Sequence, residues 1–313
     1  MLVRFCKEYG YKPEMVVMDF PAILPSITTG KCDFACGGIA MTPERAESVY
    51  FSEPTYEGGS AVAVLKTPET TEDGGIPGSI ITSFEKTFLR EGRWKLFLRG
   101  TGNTLLITVL SVLFGTLLGF AVYLLCRNGN PVANKLTGAC VWLVEGMPMV
   151  VLLMVLYYIV FKSIGIGGLA VAVIAFLLTF GAAMFGMLCS GVNAVDRGQT
   201  EGARALGYTD RQTFFRIILP QAAQHFLPGY KGQVVSLLKA TAVVGYIAVQ
   251  DLTKMGDIVR SRTYEAFFPL IAVTVIYFLL AALMIRIVEW IIGNINPKNR
   301  KPEQILKGVN THD

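Results

Sequence analysis

The chain has 313 residues, 52% hydrophobic and 16% charged, whereas an ordinary soluble domain carries about a quarter charged residues, so a membrane protein is expected. The net charge of +5 is small and scattered, and no basic cluster with interleaved aromatics is present, which excludes a nucleic-acid groove. The six cysteines stand in unlike settings, and neither Cys32 nor Cys36 has a His or third Cys nearby, so no disulfide framework and no metal site is assigned.

Residues 1–66 read as soluble α/β protein, with β-rich runs at Met15-Val16-Val17-Met18 and Ala61-Val62-Ala63-Val64 between helix and turn signals. Met1-Leu2-Val3-Arg4-Phe5-Cys6-Lys7-Glu8 lacks the apolar core of an export signal, which leaves open a start further upstream. Residues 67–83 form a linker, because the stretch from Thr67 to Gly78 is rich in turn formers and acids and poor in apolar residues. Residues 84–294 are the membrane domain. It opens with an amphipathic segment at 84–98, followed by apolar spans at 105–125, 139–161, 167–189, 233–249 and 267–285, with about 20 helical residues needed to cross a bilayer core. The second span is interrupted by Glu145 and Pro148, and the fourth carries Lys239. Residues 295–313 are a polar tail.

Five spans put the two termini on opposite sides, and Lys and Arg choose which. The loop 191–231 carries Arg197, Arg204, Arg211, Arg216 and Lys231, and the tail carries Lys298, Arg300, Lys301 and Lys307, so both are expected in the cytoplasm and the front region outside. The basic residues Lys86, Arg90, Arg93, Lys95 and Arg99 on the outer flank of the first span run against this count. A folded region before that span would blunt the local rule.

The cytoplasmic loop carries the most specific pattern: Glu201-Gly202-Ala203, three residues, Gly207, nine residues, then Ile217-Ile218-Leu219-Pro220. Read physically, this is a short helix closed by Gly207, a residue suited to a left-handed cap, then a turn and a second helix reaching Pro220. The spacing resembles the loop signature of importer permeases of the ABC transporter class. Gly146-Met147-Pro148-Met149-Val150-Val151, Leu156-Tyr157-Tyr158, Gly198-Gln199, Leu219-Pro220-Gln221-Ala222 and Leu238-Lys239-Ala240-Thr241 are similar to the polar amino-acid uptake branch. The resemblance implies that residues 201–215 dock into an ATP-hydrolysing partner, with Ala203, Ala205 and Leu206 packing and Glu201 bracing the turn. It further implies a second, identical or different, permease subunit, and leaves open a free solute-binding protein. The chain departs from the pattern at Gly202, usually Ala, at Glu145, where Arg is common, at Ala240, usually Asp, and at Gly186 and Cys189, where Glu and Arg are frequent.

In the front region, Leu24-Pro25-Ser26, Gly30-Lys31-Cys32-Asp33, Met41-Thr42-Pro43-Glu44-Arg45 and Tyr50-Phe51-Ser52-Glu53-Pro54 resemble the first lobe of periplasmic amino-acid-binding proteins. An incomplete α/β lobe is therefore expected. The resemblance implies that Arg45 clamps a ligand carboxylate, helped by Thr42 and the backbone at Gly38 and Ala40, and a guanidinium suits this because its planar fork donates two parallel hydrogen bonds.

Ionisable groups within apolar spans are functional candidates by default, which puts Lys239 and Glu145 on a translocation path, although either could reach an interface. Pro148, Gly181, Gly186 and Gly191 are expected to loosen helices or allow close packing, and Tyr157 and Tyr158 to anchor an interface. No Gly-x-x-x-x-Gly-Lys-Ser/Thr loop occurs, so no cofactor is bound directly and ATP is used by a separate subunit. A membrane enzyme would need a catalytic cluster, and His225 and His312 stand alone. A ligand-gated channel or receptor is the competing class, and it would need a re-entrant pore segment.

Overall fold

The computed structural model describes residues 6–18, 20–36, 39, 41, 43–46, 48–52, 76–127, 129–263 and 266–295. Its regular elements are helices. In chain order they are α1 (Phe20–Thr28), α2 (Pro43–Ala46), α3 (Ile76–Phe84), α4 (Trp94–Cys126), α5 (Pro131–Glu145), α6 (Met149–Val155), α7 (Gly168–Asn193), α8 (Arg197–Ala205), α9 (Asp210–Thr213), α10 (Leu219–Ala240), α11 (Leu252–Thr263) and α12 (Phe267–Ile295). Short π-helical turns follow α3, α6 and α9, and a 3-10 stretch, Thr241–Ile247, follows α10.

Among the described residues, α4, α7 and α12 are each long and apolar enough to cross a membrane. The 33 residues of α4 extend over about 50 Å, more than the roughly 30 Å of a bilayer core. The other two expected spans are broken. Residues 139–161 do not form one helix, because α5 and the stretch from Met149 to Val160 meet at 108°. The cause is local: Gly146 ends α5, and Pro148, which lacks an N–H and holds an extended ψ of 138°, caps α6 instead of continuing the helix before it. The fourth span begins well before residue 233, since α10 runs unbroken from Leu219, passes into the 3-10 stretch and turns by 55° into α11. Ala248, with φ +60°, makes that turn.

The centre of the bundle is α7. It packs on α4 and α10, with Phe176, Phe180 and Leu188 fully buried beside Ile107 of α4 and Leu238 of α10. The α4–α7 crossing is close because Gly115 and Gly119 present backbone to α7. A Cβ at Gly119 would stand 2.6 Å from the Gly181 carbonyl oxygen and 2.7 Å from Met184 Cβ. Gly181 and Gly191 are packing positions, whereas a Cβ at Gly186 would meet nothing within 4 Å. The ion pair between Lys231 Nζ and Glu289 Oε1, at 2.8 Å, joins α10 to α12.

The expected α/β lobe is not there. Among the described residues no strand occurs, and Met15-Val16-Val17-Met18 is irregular and largely exposed. A strand exists only through a partner ladder, and the described part of the front region offers none. The second β-rich run, Ala61-Val62-Ala63-Val64, lies outside the described residues, as does the 67–75 part of the expected linker; helix α3 occupies its remainder. The described part of the front region contacts the bundle. Lys31 Nζ donates to the Phe161 carbonyl at 2.8 Å and sits 4.9 Å from the Tyr157 ring centre, and Ser26 Oγ and Tyr158 Oη share a hydrogen bond at 3.4 Å. Tyr157 and Tyr158 are consequently buried, each 8% exposed, and do not form the interfacial anchors expected of them.

Candidate functional site

The loop between α7 and α10 is built from its caps inward. The Asp196 carboxylate accepts from the Gly198 N–H at 2.6 Å and starts α8. At the other end Gly207 adopts φ +82°, its N–H donates to the Arg204 carbonyl at 2.9 Å, and the Tyr208 N–H donates to Ala203 at 3.1 Å, the paired bonds of a Schellman cap. Thr209 and Gln212 then form a reciprocal capping box that starts α9. Arg204 spans the turn and donates to Asp210 Oδ1 at 2.9 Å.

The most buried contact between this helical hairpin and the membrane bundle is made by Phe214. Phe214, 4% exposed, stacks on Tyr123 of α4 with ring centres 5.8 Å apart, and the Arg127 guanidinium lies 4.0 Å from its ring centre. Ile218, Met184 and Leu188 complete the apolar cluster around it. Gln221 at the start of α10 donates to Gln199 of α8 at 3.1 Å. The hairpin thus contacts α4, α7 and α10.

Of the signature residues, Ala203 is buried inside the hairpin at 3% exposure, while Glu201, Gly202, Ala205 and Gly207 are exposed and Leu206 is 78% exposed. Leu219 and Pro220 open α10 and are half-buried, with the proline in the first turn, where its missing N–H costs nothing. Gly202 lies in open space, so an alanine Cβ there would meet nothing within 4 Å.

The two intramembrane charges are not brought together. Glu145 is the last residue of α5, at the 108° bend, and Lys239 is the penultimate residue of α10, about 30 Å along that helix from Leu219. Both are exposed, and among the described residues neither has an ion pair. Lys239 therefore stands at the far end of its helix from the hairpin and not near the start of the span. In the front region, the Arg45 guanidinium lies 5.3 Å from the Phe20 ring centre, and Gly38, Ala40 and Thr42 lie outside the described residues.

Two features escaped sequence reasoning. Gly115 and Gly119 form a Gly-x-x-x-Gly pair in an uncharged run, a spacing that signals close helix packing. The second is a polar knot at the turn from the 3-10 stretch into α11. Asp251, fully buried, accepts from the Thr253 and Lys254 N–H groups at 3.0 Å each and from Tyr277 Oη at 3.2 Å, while Thr104 Oγ1 accepts from the Leu252 N–H at 3.2 Å. Beside it a cavity of about 350 Å³ opens between Phe20, Tyr246, Lys254 and Asp257. Among the described residues, no group of His, Cys, Asp and Glu could hold a metal ion.

The long apolar helices and bent helix pairs define a multi-pass membrane protein, and comparison with known proteins gives it a family. Residues 104–301 match the family of inner-membrane components of binding-protein-dependent transport systems, and the chain belongs to it. It is similar to a putative glutamine transport system permease of Rickettsia bellii, 32% identical over 187 residues that make up 59% of this chain and 86% of that protein. It is also similar to the L-cystine transport system permease of Bacillus subtilis, 31% identical over 60% of this chain and 80% of that protein. Among solved structures it resembles an amino-acid ABC transporter crystallised with histidines, with 30% identity, a TM-score of 0.57 and coverage of 63% of this chain and 92% of that one. A methionine ABC transporter in an inward-facing conformation shares the fold at 23% identity and a TM-score of 0.56. The chain is accordingly the permease component of an ABC-type importer, and not an enzyme. The family match contains none of the front region, where the incomplete binding lobe was expected.

Proposed function

We propose that this chain, paired with a second permease subunit, carries a polar amino acid inward, driven by ATP hydrolysis in a separate subunit that grips residues 201–215. The observation that carries this reading is the hairpin itself: an exposed helical tip at Glu201, Ala205 and Leu206, rigidly joined through Phe214 to α4 and α7. A tip that must follow a partner's motion needs both properties. The amino-acid specificity rests on the likeness to permeases named for glutamine and cystine transport and to a transporter crystallised with histidines. Lys239 and Glu145 are the residues assigned to the solute path, because an exposed charge on a membrane helix is costly unless it faces water, solute or a partner subunit.

The hairpin, with its four arginines, is assigned to the cytoplasm. The front region is assigned to the outside, since it packs against the ends of α6 and α10 remote from the hairpin. The test is co-elution of the chain with ATPase subunits encoded beside it, for the native sequence and for a Glu201→Lys, Gly207→Trp variant. Co-elution by the native chain and its loss in the variant support the assignment. Failure of every such ATPase to bind the native chain would leave the channel reading, testable by electrical recording.

A further inference from the structure

On the 210–218 segment, Arg211, Gln212, Phe215 and Arg216 line a shallow depression of about 290 Å³. Two guanidinium groups facing one open space repel each other. Among the described residues neither has an ion pair, unlike Arg204, which is neutralised by Asp210 in the same hairpin. The arrangement is favourable once an anion sits between them.

The level of the depression indicates where the anion comes from. The Phe215 ring lies 6.3 Å from Phe120, and Phe214 stacks on Tyr123, so this segment is level with the last turns of the uncharged 105–125 run of α4. That is the depth at which the apolar helix gives way to the headgroup layer. Apolar side chains are exposed on these elements as well: Phe215 is 40% exposed, and Leu117 and Leu125 of α4 are 59% and 68% exposed. A ring beside two guanidiniums and an amide matches a molecule with an anionic head and an apolar tail.

Resting on the reading that the ATPase grips the 201–215 segment by its exposed tip at Glu201, Ala205 and Leu206, we infer that this depression, at the bundle end of the same segment, is a binding site for the phosphate of an anionic phospholipid in the leaflet around the hairpin. The phosphate oxygens accept from Arg211 and Arg216, Gln212 donates from the rim, and Phe215 covers the glycerol end of the acyl chains. The occupant is a lipid and not free phosphate, because the aromatic wall adds affinity only for a molecule with a tail. Lipid occupancy would hold the base of the hairpin at a fixed depth while its tip moves.

The experiment titrates the detergent-purified full chain with phosphatidylglycerol or phosphatidylcholine and counts retained lipids by native mass spectrometry. A saturable preference for phosphatidylglycerol is expected, unaffected by millimolar inorganic phosphate. It should weaken about 5-fold in Arg211→Gln or Arg216→Gln and roughly 30-fold in the double variant, at about one charge's worth of surface attraction each. The Arg211→Lys, Arg216→Lys variant should retain most of it, and unchanged thermal unfolding of the double Gln variant shows that the fold survives. A preference equal in native and double-Gln chains overturns the site. So does competition by free phosphate, and so does a double-Gln variant that keeps its lipid preference but no longer co-elutes with the ATPase, which would assign the arginines to an acidic protein surface. Since the lipid readout needs no ATPase, the site can fail without the importer assignment failing, and the converse holds.

Discussion

Replacing Phe214 by alanine should release the hairpin from the bundle without unfolding the bundle. The ring is 4% exposed and fills the space between Tyr123, Arg127, Met184 and Leu188. Truncating a buried phenylalanine costs about 3–5 kcal/mol, within which the stacked pair accounts for about 0.5–1.5 and the guanidinium over the ring for about 0.5–1. Because α4 and α7 remain joined through Gly115, Gly119, Phe180 and Gly181, most of the loss should appear locally, as easier opening of residues 197–218. Hydrogen exchange is the assay. Amides in 197–213 should exchange at least about 100-fold faster in Phe214→Ala, the low end of that cost, while those in the centre of α7 change little. The neighbouring Phe215→Ala, at a residue 40% exposed, should change hairpin exchange several-fold at most. Hairpin exchange within about 2-fold of native in Phe214→Ala would refute the clamp, and with it the mechanical link from tip to bundle.

Other perturbations follow from single contacts. Gly119→Leu should lower thermal stability by about 1–3 kcal/mol or more, because its Cβ would press on the Gly181 backbone 2.6 Å away; Gly186→Ala, in open space, should leave it nearly unchanged. Gly202→Ala should stabilise the hairpin by up to about 1 kcal/mol, seen as slower exchange in 197–206, since the position is inside α8 and unobstructed. Asp251→Ala should cost several times about 1 kcal/mol in thermal denaturation, as two N–H groups and the Tyr277 hydroxyl lose their acceptor, and Asp251→Asn should recover part of it. Burial, with Asp33 adding to it, pushes the Cys32 thiol above its ordinary value, so less of it is thiolate at a given pH. A membrane-impermeant maleimide added outside should therefore label exposed Cys36 before Cys32 near neutral pH, with the gap narrowing as pH rises. Labelling of Cys36 only after the membrane is permeabilised would reverse the proposed orientation.

What could be read from the sequence divides along physical lines. The hairpin was legible through Gly207, whose cap is local chemistry; Asp196 and the Thr209–Gln212 box act over equally few residues but were not singled out. The apolar runs of α4, α7 and α12 were legible because bilayer thickness sets their length. The bend at Gly146 and Pro148 was only half read. An apolar window does not register a change of direction, although the two residues that cause it were visible. The front region failed for a different reason. The β-rich run Met15-Val16-Val17-Met18 expresses a local propensity, but whether a strand forms depends on distant pairing that no local pattern encodes. Lys239 was picked out by its charge, while the polar first half of α10 hid the start of the helix that carries it. Asp251 was not singled out in the sequence, because its bond to the Thr253 amide is a local turn contact and only the fold brings Tyr277 to it.

The most direct measurement is uptake of a labelled polar amino acid into sealed vesicles containing the chain and its ATPase, with ATP on the hairpin side and an external solute-binding protein added or withheld. Accumulation against a gradient, abolished by omitting ATP and by Gly207→Trp, is the expected result. Flux that runs only downhill and continues without the ATPase would contradict the importer assignment.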